Sequence, residues 1–310
     1  MWFTSERLLE LCEQTLLERR DEGPSLCHVA VYAMDAEADG WPPPAGWETA
    51  GFSSRELEEI LAAGNLRGFY HHDGPSWQIY DRVAALGVQT LPTPLGLPPW
   101  ELASPLRLFL HWAYAAMNLR LTHAGTVGLK GRGALIAGPS GSGKSATTLA
   151  GLMNGLDSVG DDYVVVEMGA RVIAHPVFAV LKQDREGLRR VGIPPDVDAG
   201  RSNWRGKVEF DAAAHTPKGL AERMEIEALL LPEIARAPRT ALQRTTAHEA
   251  AMVLAPSSVL QLPGDSVSGF RFLTGLVRRL PAFRVRLSED PVEIAGAIGA
   301  FLDRAEAHAG

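Results

Sequence analysis

The sequence predicts an α/β fold built around a phosphate loop, with a smaller α+β domain on its amino-terminal side. Three observations carry this expectation. The stretch "GPSGSGKSATT" (138–148) follows the apolar run "ALIA" and opens a helix-like segment. The stretch "LPTPLGLPPW" (91–100) places four prolines in ten residues, so few backbone donors survive there and the helical region is disfavoured before each proline. Strand-like and helix-like runs lie on both sides of that linker. The domains are therefore expected at 1–100 and 101–310.

The chain has 310 residues, 46% hydrophobic and 22% charged, enough for a sizeable core and two domains. No run reaches the roughly 18 apolar residues that a membrane span needs. Charges interrupt the apolar pattern of "MWFTSERLLELCEQ", which argues against a signal peptide; the expectation is a cytoplasmic protein without membrane partners. A net charge of −7 disfavours generic nucleic-acid binding. Cys12 and Cys27 lack CxxC spacing and read as small core residues.

Taken in order, residues 5–20 place Leu8, Leu9, Leu11, Cys12, Leu16 and Leu17 on one helical face. "LCHVAVYAMD" (26–35) alternates as a strand and "DGWPPPAG" (39–46) is a loop. Ser53 with Glu56 forms a capping box for a helix ending near Ala63. In "SWQIYDRVAALGVQTL" (76–91) one strand is expected and the rest is left open. After the linker, Ser104 and Pro105 read as N-cap and first turn of a helix to Asn118 that turns Leu106, Phe109, Leu110, Ala113 and Met117 inward. "AGTVGL" and "GALIAG", separated by "KGRG", make a hairpin that feeds the glycine-rich loop. "SATTLAGLMNG" is the helix that leaves it. "LDSVGDDYVVVEMGARVIAHP" reads as strand, acidic turn, strand, turn, strand, "VRRLPAFRVRL" (277–287) as helix end, turn and strand, and "VEIAGAIGAFLDRAEAH" as a terminal helix.

Gly138, Gly143, Lys144 and Ser145 fit G-x-x-x-x-G-K-[ST]. Glycines let successive N–H groups of Gly138, Ser140, Gly141, Ser142, Gly143, Lys144, Ser145 and Ala146 turn toward an anion, and the helix N-terminus adds partial positive charge. In such a loop the lysine reaches the outer phosphates and the serine hydroxyl ligates Mg²⁺. The ligand so implied is a nucleoside triphosphate.

Asp161 and Asp162 lie 17 and 18 residues after Lys144, room for one helix and one returning strand. Were that strand to lie beside the one feeding the loop, its end would point at the phosphates. One carboxylate then holds the metal while the other accepts a hydroxyl proton; a surface turn is the plainer account of "GDD".

Residues 123–162, "HAGTVGLKGRGALIAGPSGSGKSATTLAGLMNGLDSVGDD", resemble the core of HPr kinase/phosphorylase, with a histidine 15 residues before Gly138, a hairpin, a phosphate loop, a helix and an Asp-Asp pair. The resemblance implies a P-loop kinase core of the HPr kinase/phosphoenolpyruvate carboxykinase type that uses ATP and Mg²⁺ to phosphorylate a serine hydroxyl. It implies Asp161 as base, Asp162 as metal support alongside Ser145, and His123 near the phosphates, orienting Asp161 or a phosphate. The family's later signature has no counterpart in "HPVFAVLKQDREGLRRVGIPPDVDAGRSNWRGKVEFD", and the amino-terminal region does not resemble the family's regulatory domain. Length, the "HA" at the histidine and "GPSGSGKS" are more similar to tailoring kinases of ribosomally made peptides, notably lasso peptides, which implies a precursor peptide with a C-terminal serine as partner. Members of the HPr kinase family form rings, so a homo-oligomer stays open, as do a small-metabolite kinase and an ATP-sensing module that transfers nothing.

Other residues carry weaker signals. Lys207, with Arg205 beside it in "NWRGKVEFD", offers a cation for the transferring phosphoryl group or an ordinary solvated charge. Arg185, Arg189 and Arg190 read as a solvated helix face, with a basic rim as the alternative. Glu233, ending "LLLPE", stands at the end of an apolar run, as a metal-supporting acid after a strand does, but Pro232 and the better-placed Asp161/Asp162 argue against it. Trp41, Trp47 and Trp77 mark the amino-terminal domain without assigning it a role.

Overall fold

The computed structural model describes residues 2–3, 6–17, 28–33, 53–71, 76–91, 97, 99–194, 196–197, 202–203 and 205–307. Trp41, Trp47, Cys27, Trp204 and the 39–46 loop lie outside the described residues. The chain forms two compact units, Met1–Met117 with Leu262–Ser268, and Asn118–Gln261 with Gly269–Gly310. The division thus falls after Met117, not at the proline-rich segment around residue 100.

The first unit contains β1 (Trp2–Phe3), α1 (Glu6–Glu13), β2 (His28–Ala33), α2 (Ser54–Ala63), β3 (Leu66–His71), β4 (Ser76–Asp81), β5 (Leu86–Leu91) and α3 (Arg107–Tyr114). Its sheet runs β1-β2-β5-β4-β3, parallel through β5 and antiparallel beyond it. The 76–91 stretch is two strands joined at Ala85, whose φ is 51°. The capping box of α2 forms as expected, with Ser53 and Glu56 bonded reciprocally. The start of α3 is a correction. Its N-cap is Leu106, left-handed at φ 58° and without a side-chain cap, so Ser104 and Pro105 do not open it. The helix stays in the first unit because Phe109 and Trp112 bury there: Phe109 packs directly on Gly87 of β5, and Trp112 stacks with Tyr80 of β4. Residues 262–268 join them, with Trp112 Nε1 donating to Pro263 O and Ser266 donating to Glu58.

A buried acid sits within this unit. Glu101, 1% exposed, accepts from Gln78 Nε2 and Gln89 Nε2 at 2.9 Å each; these glutamines face each other across β4 and β5. Burial alone would raise its carboxyl, but His71, Arg107 and Gln89 more than offset that and hold it below the ordinary value. Burial, followed by the Glu101 charge, pushes the Cys12 thiol up to about 12, so Cys12 is a core residue rather than a nucleophile.

The second unit runs β6 (Leu119–Thr122), β7 (Gly125–Leu129), β8 (Arg132–Ile136), α4 (Lys144–Met153), β9 (Val164–Met168), β10 (Val172–His175), β11 (Val180–Gln183), α5 (Arg185–Arg190), β12 (Val208–Asp211), α6 (Ala212–His215), β13 (Met224–Ala237), β14 (Ala241–Thr245) and α7 (Ala247–Leu260), then α8 (Ser266–Arg279) from Gly269 onward, β15 (Ala282–Ser288) and α9 (Pro291–Ala307). The large sheet is mixed. It follows the order β14-β15-β13-β10-β9-β6, with β8 pairing both β13 and β7; β13 is parallel to β8 and β15, and the other pairings are antiparallel. Alternation along β13 sends Leu229 and Leu231 into one core with Leu254, Leu273 and Leu276 of α7 and α8. Ala228 and Leu230 enter the opposite core with Ala150 of α4 and Ile294, Ile298 and Leu302 of α9. The outer side of α4 is covered in turn: Leu149 and Leu152 pack on Leu181, Leu188 and Phe210 of the β11–β12 ribbon and α5. The helix that leaves the loop is therefore held between the sheet and a two-stranded ribbon.

Candidate functional site

The loop begins where β8 ends. Ala137 N still donates to Leu230 O of β13, at 2.9 Å, so the loop leaves from a strand paired on both sides. A Cβ on Gly138 would lie 2.4 Å from Ser142 Oγ, and one on Gly143, already at φ 105°, would lie 2.5 Å from Leu287 Cδ1. The φ of Gly143 suits glycine alone, and at Gly138 the Ser142 side chain would have to turn away from a Cβ. The first bond of α4 is Thr147 N to Gly143 O, so the N–H groups of Lys144, Ser145 and Ala146 have no intrahelical carbonyl to bond and are available to an anion. Lys144, 7% exposed, donates to the carbonyls of Gly138 (2.7 Å) and Pro139 (3.2 Å). Burial lowers its pKa, against the pull of Asp161 and Asp162.

The acidic pair arrives by a route that corrects the expected one. Residues 157–160 lie along β7, through the Gly128–Asp157 bridge and Thr126 N donating to Gly160 O at 3.0 Å. They cannot lie beside β8, because β7 and β13 already occupy both of its edges. The carboxylates then diverge. Asp162 adopts φ 70°, a left-handed turn that aspartate tolerates better than most residues, and the two side chains enter different surroundings.

Asp161 faces the loop. It is 4% exposed, its Oδ1 is buried without a partner among the described residues, and Thr148 Oγ1 is likewise buried and unpartnered. Both oxygens flank the bare Cα of Gly125: a Cβ there would lie 2.5 Å from Thr148 Oγ1 and 3.1 Å from Asp161 Oδ1. Burial, then the charge of Asp162, raises the Asp161 pKa; a hydrogen bond from Ser145 and the charges of Lys207 and Lys144 oppose this without reversing it.

Asp162 faces away, toward His123 and Lys182. His123 Nε2 meets Oδ1 at 2.9 Å and Lys182 Nζ donates to Oδ2 at 2.6 Å. Burial opposes its charge, but Lys182 and then His123 more than offset this and hold the carboxyl well below the usual range. His123 therefore orients Asp162, not Asp161. Its backbone N–H donates to Ser258 Oγ, its ring lies 5.2 Å from that of Tyr163, and Tyr163 Oη donates to Gln261 Oε1.

Arg205 and Lys207 both reach the loop region. Arg205 Nη1 donates to Ser140 Oγ at 3.1 Å, and the charge of Lys207 is felt at Lys144 and Asp161. A knuckle holds them: Asn203 Oδ1 accepts from both backbone N–H groups, at 3.0 Å each, just ahead of β12. Arg189 and Arg190 instead pair with Glu186 on an exposed helix face. Glu233 is exposed on the α7 side of β13, paired with Arg284, while Pro232 and Ile234 are its residues nearest Gly143.

Lys182, Thr148 and Gly125 were not singled out from the sequence. Lys182 stands in "VLKQ" of β11; nothing local announces a partner 20 residues away.

The site fits a triphosphate with a divalent cation. The loop offers backbone donors, and the Asp161 carboxylate, bonded by the Ser145 hydroxyl, is the kind of hard oxygen set that Mg²⁺ takes. Among the described residues no group of three or more His, Cys, Asp or Glu side chains forms a metal cage, as is usual where the ion is shared with phosphates. No helix among them is long and apolar enough to cross a membrane.

No family model matches the chain, and no curated protein matches it. Among solved structures 95 chains match. One is the HPr(Ser) kinase/phosphatase from Coxiella burnetii, 13% identical, aligned over 60% of this chain and 99% of that one with a TM-score of 0.35.

Proposed function

We propose that this chain is an ATP- and Mg²⁺-dependent kinase that phosphorylates a serine hydroxyl of a peptide, the C-terminal serine of a lasso-peptide precursor being the substrate that the resemblance of residues 123–162 favours. The observation that carries the kinase reading is the buried Asp161 carboxylate, bonded by Ser145 in the first turn after the phosphate loop and with its Oδ1 left unpartnered. An ATP-binding module that transfers nothing would need the loop but not this acid.

In this reading the backbone of 138–146 cradles the phosphates, with Lys144 turning from the loop carbonyls to the outer phosphates. Bound Mg²⁺ neutralises charge on the β- and γ-phosphates. The acceptor oxygen forms a bond to the γ-phosphorus as the bond to the β–γ bridging oxygen breaks, and ADP departs. The hydroxyl proton passes to the Asp161 oxygen left free by the metal. Arg205 and Lys207 neutralise charge on the phosphoryl oxygens.

Incubation with MgATP and synthetic peptides ending in serine tests this by mass spectrometry. Gain of one phosphoryl group, lost when the terminal serine is replaced by alanine, is expected. ATP binding without transfer to any peptide would favour the sensing module, and transfer only to small alcohols would replace the peptide substrate.

A further inference from the structure

We infer that Lys182 is a positioning residue: it takes Asp162 out of metal coordination, so that the divalent cation of the nucleotide complex is held on the protein side by Asp161 and Ser145. This rests on the nucleotide-binding reading above and reverses the metal role that sequence resemblance implies for Asp162.

The argument is geometric. A carboxylate that binds a divalent cation must present an oxygen to it free of competing positive charge. Both oxygens of Asp162 are engaged by nitrogen groups, Lys182 Nζ at 2.6 Å and His123 Nε2 at 2.9 Å. The ammonium is fixed there by its strand, since the side chain of Lys182 is only 16% exposed and β11 is anchored by β12 and by the Leu181–Phe210 packing against α4. A second cation approaching Asp162 would meet that ammonium at close range. Asp161 has the opposite surroundings: one buried oxygen without a partner, the Ser145 hydroxyl as neighbour, and Thr148 Oγ1 equally unpartnered across Gly125. The left-handed turn at Asp162 sends the two adjacent carboxylates into these different surroundings.

The ribbon also joins this division of labour to the loop. Lys182 pairs across it with Glu209, and β12 begins directly after Arg205 and Lys207. One two-stranded element thus presents the cation that occupies Asp162 and the cations that approach the phosphates.

The test reads binding, not turnover. Mn²⁺ affinity is measured by electron paramagnetic resonance with and without ATP, and metal-free ATP affinity by calorimetry in EDTA, on the full chain. The double variant Asp162→Asn/Lys182→Met removes the half-buried pair without changing net charge; its Mn²⁺ affinity is expected within about twofold of wild type, whereas Asp161→Asn loses about tenfold or more. Lys182→Met alone leaves Asp162 with His123 as its remaining partner and Oδ2 free, so Mn²⁺ should tighten and metal-free ATP should weaken, each by about tenfold. Lys182→Arg should restore both. A purely structural role for Lys182 would weaken the two affinities together, and that result overturns the proposal. So does a tenfold loss of Mn²⁺ in the double variant, with ATP binding intact. Failure of the wild-type chain to bind ATP at all would overturn the nucleotide reading, and this assignment with it.

Discussion

Gly125→Ala is the most direct probe of the cradle around Asp161. The added Cβ would sit 2.5 Å from Thr148 Oγ1 and 3.1 Å from Asp161 Oδ1. Ordinary contact begins near 3.4 Å, so the threonine must retreat by about 0.9 Å and the carboxylate by about 0.3 Å. Neither has open space, since Thr148 is 1% and Asp161 4% exposed. Overpacking of this kind costs about 1–3 kcal/mol of stability. Displacing a metal-holding oxygen by a few tenths of an ångström falls in the range of altered supporting contacts, which cost about 10–100-fold in metal affinity. Urea unfolding gives the first quantity, and Mn²⁺ titration of the ATP complex the second. Gly155→Ala is the control: its φ is 89° but a Cβ there meets nothing within 4 Å, so it should lose about 1 kcal/mol and keep its metal affinity. Wild-type stability and wild-type Mn²⁺ affinity in Gly125→Ala would refute the reasoning.

Two further predictions concern buried acids. The raised pKa of Asp161 means that its neutral form favours the fold, so stability falls as pH rises through that raised value. Asp161→Asn should therefore raise the melting temperature at pH 7, by about 2–4 °C, while abolishing transfer; an unchanged or lower melting temperature would remove the electrostatic account. Glu101 has the opposite sign, because its lowered pKa adds stability above the ordinary carboxylate value that is lost as pH falls through the folded value. Glu101→Gln should cost about 2 kcal/mol at neutral pH and flatten the acid limb of the stability curve below pH 4.5, read by denaturation at stepped pH.

Much of the site's local form was legible in the sequence. The β7–β8 hairpin, the loop and α4 depend on turn glycines and on donors within a few residues, and they stand where "KGRG" and "GPSGSGKS" place them. The Ser53–Glu56 capping box is equally local. The opening of α3 was misread because Ser104-Pro105 is only a local preference, and the burial of Phe109 and Trp112 outweighs it. The Pro-rich segment looked like a boundary for the same reason.

What the sequence by itself determined is a chain with a glycine-rich loop between a strand and a helix, an acidic pair downstream and a histidine upstream, because each is a matter of residue type and short spacing. Only the tertiary structure decided which acid meets which charge. The occupied edges of β8 send residues 157–160 along β7, the turn at Asp162 divides the two carboxylates, and a ribbon packed on α4 delivers Lys182 to one of them. Those outcomes depend on which strand edges are free and which side chains bury together, and neither is encoded within any short stretch of the chain.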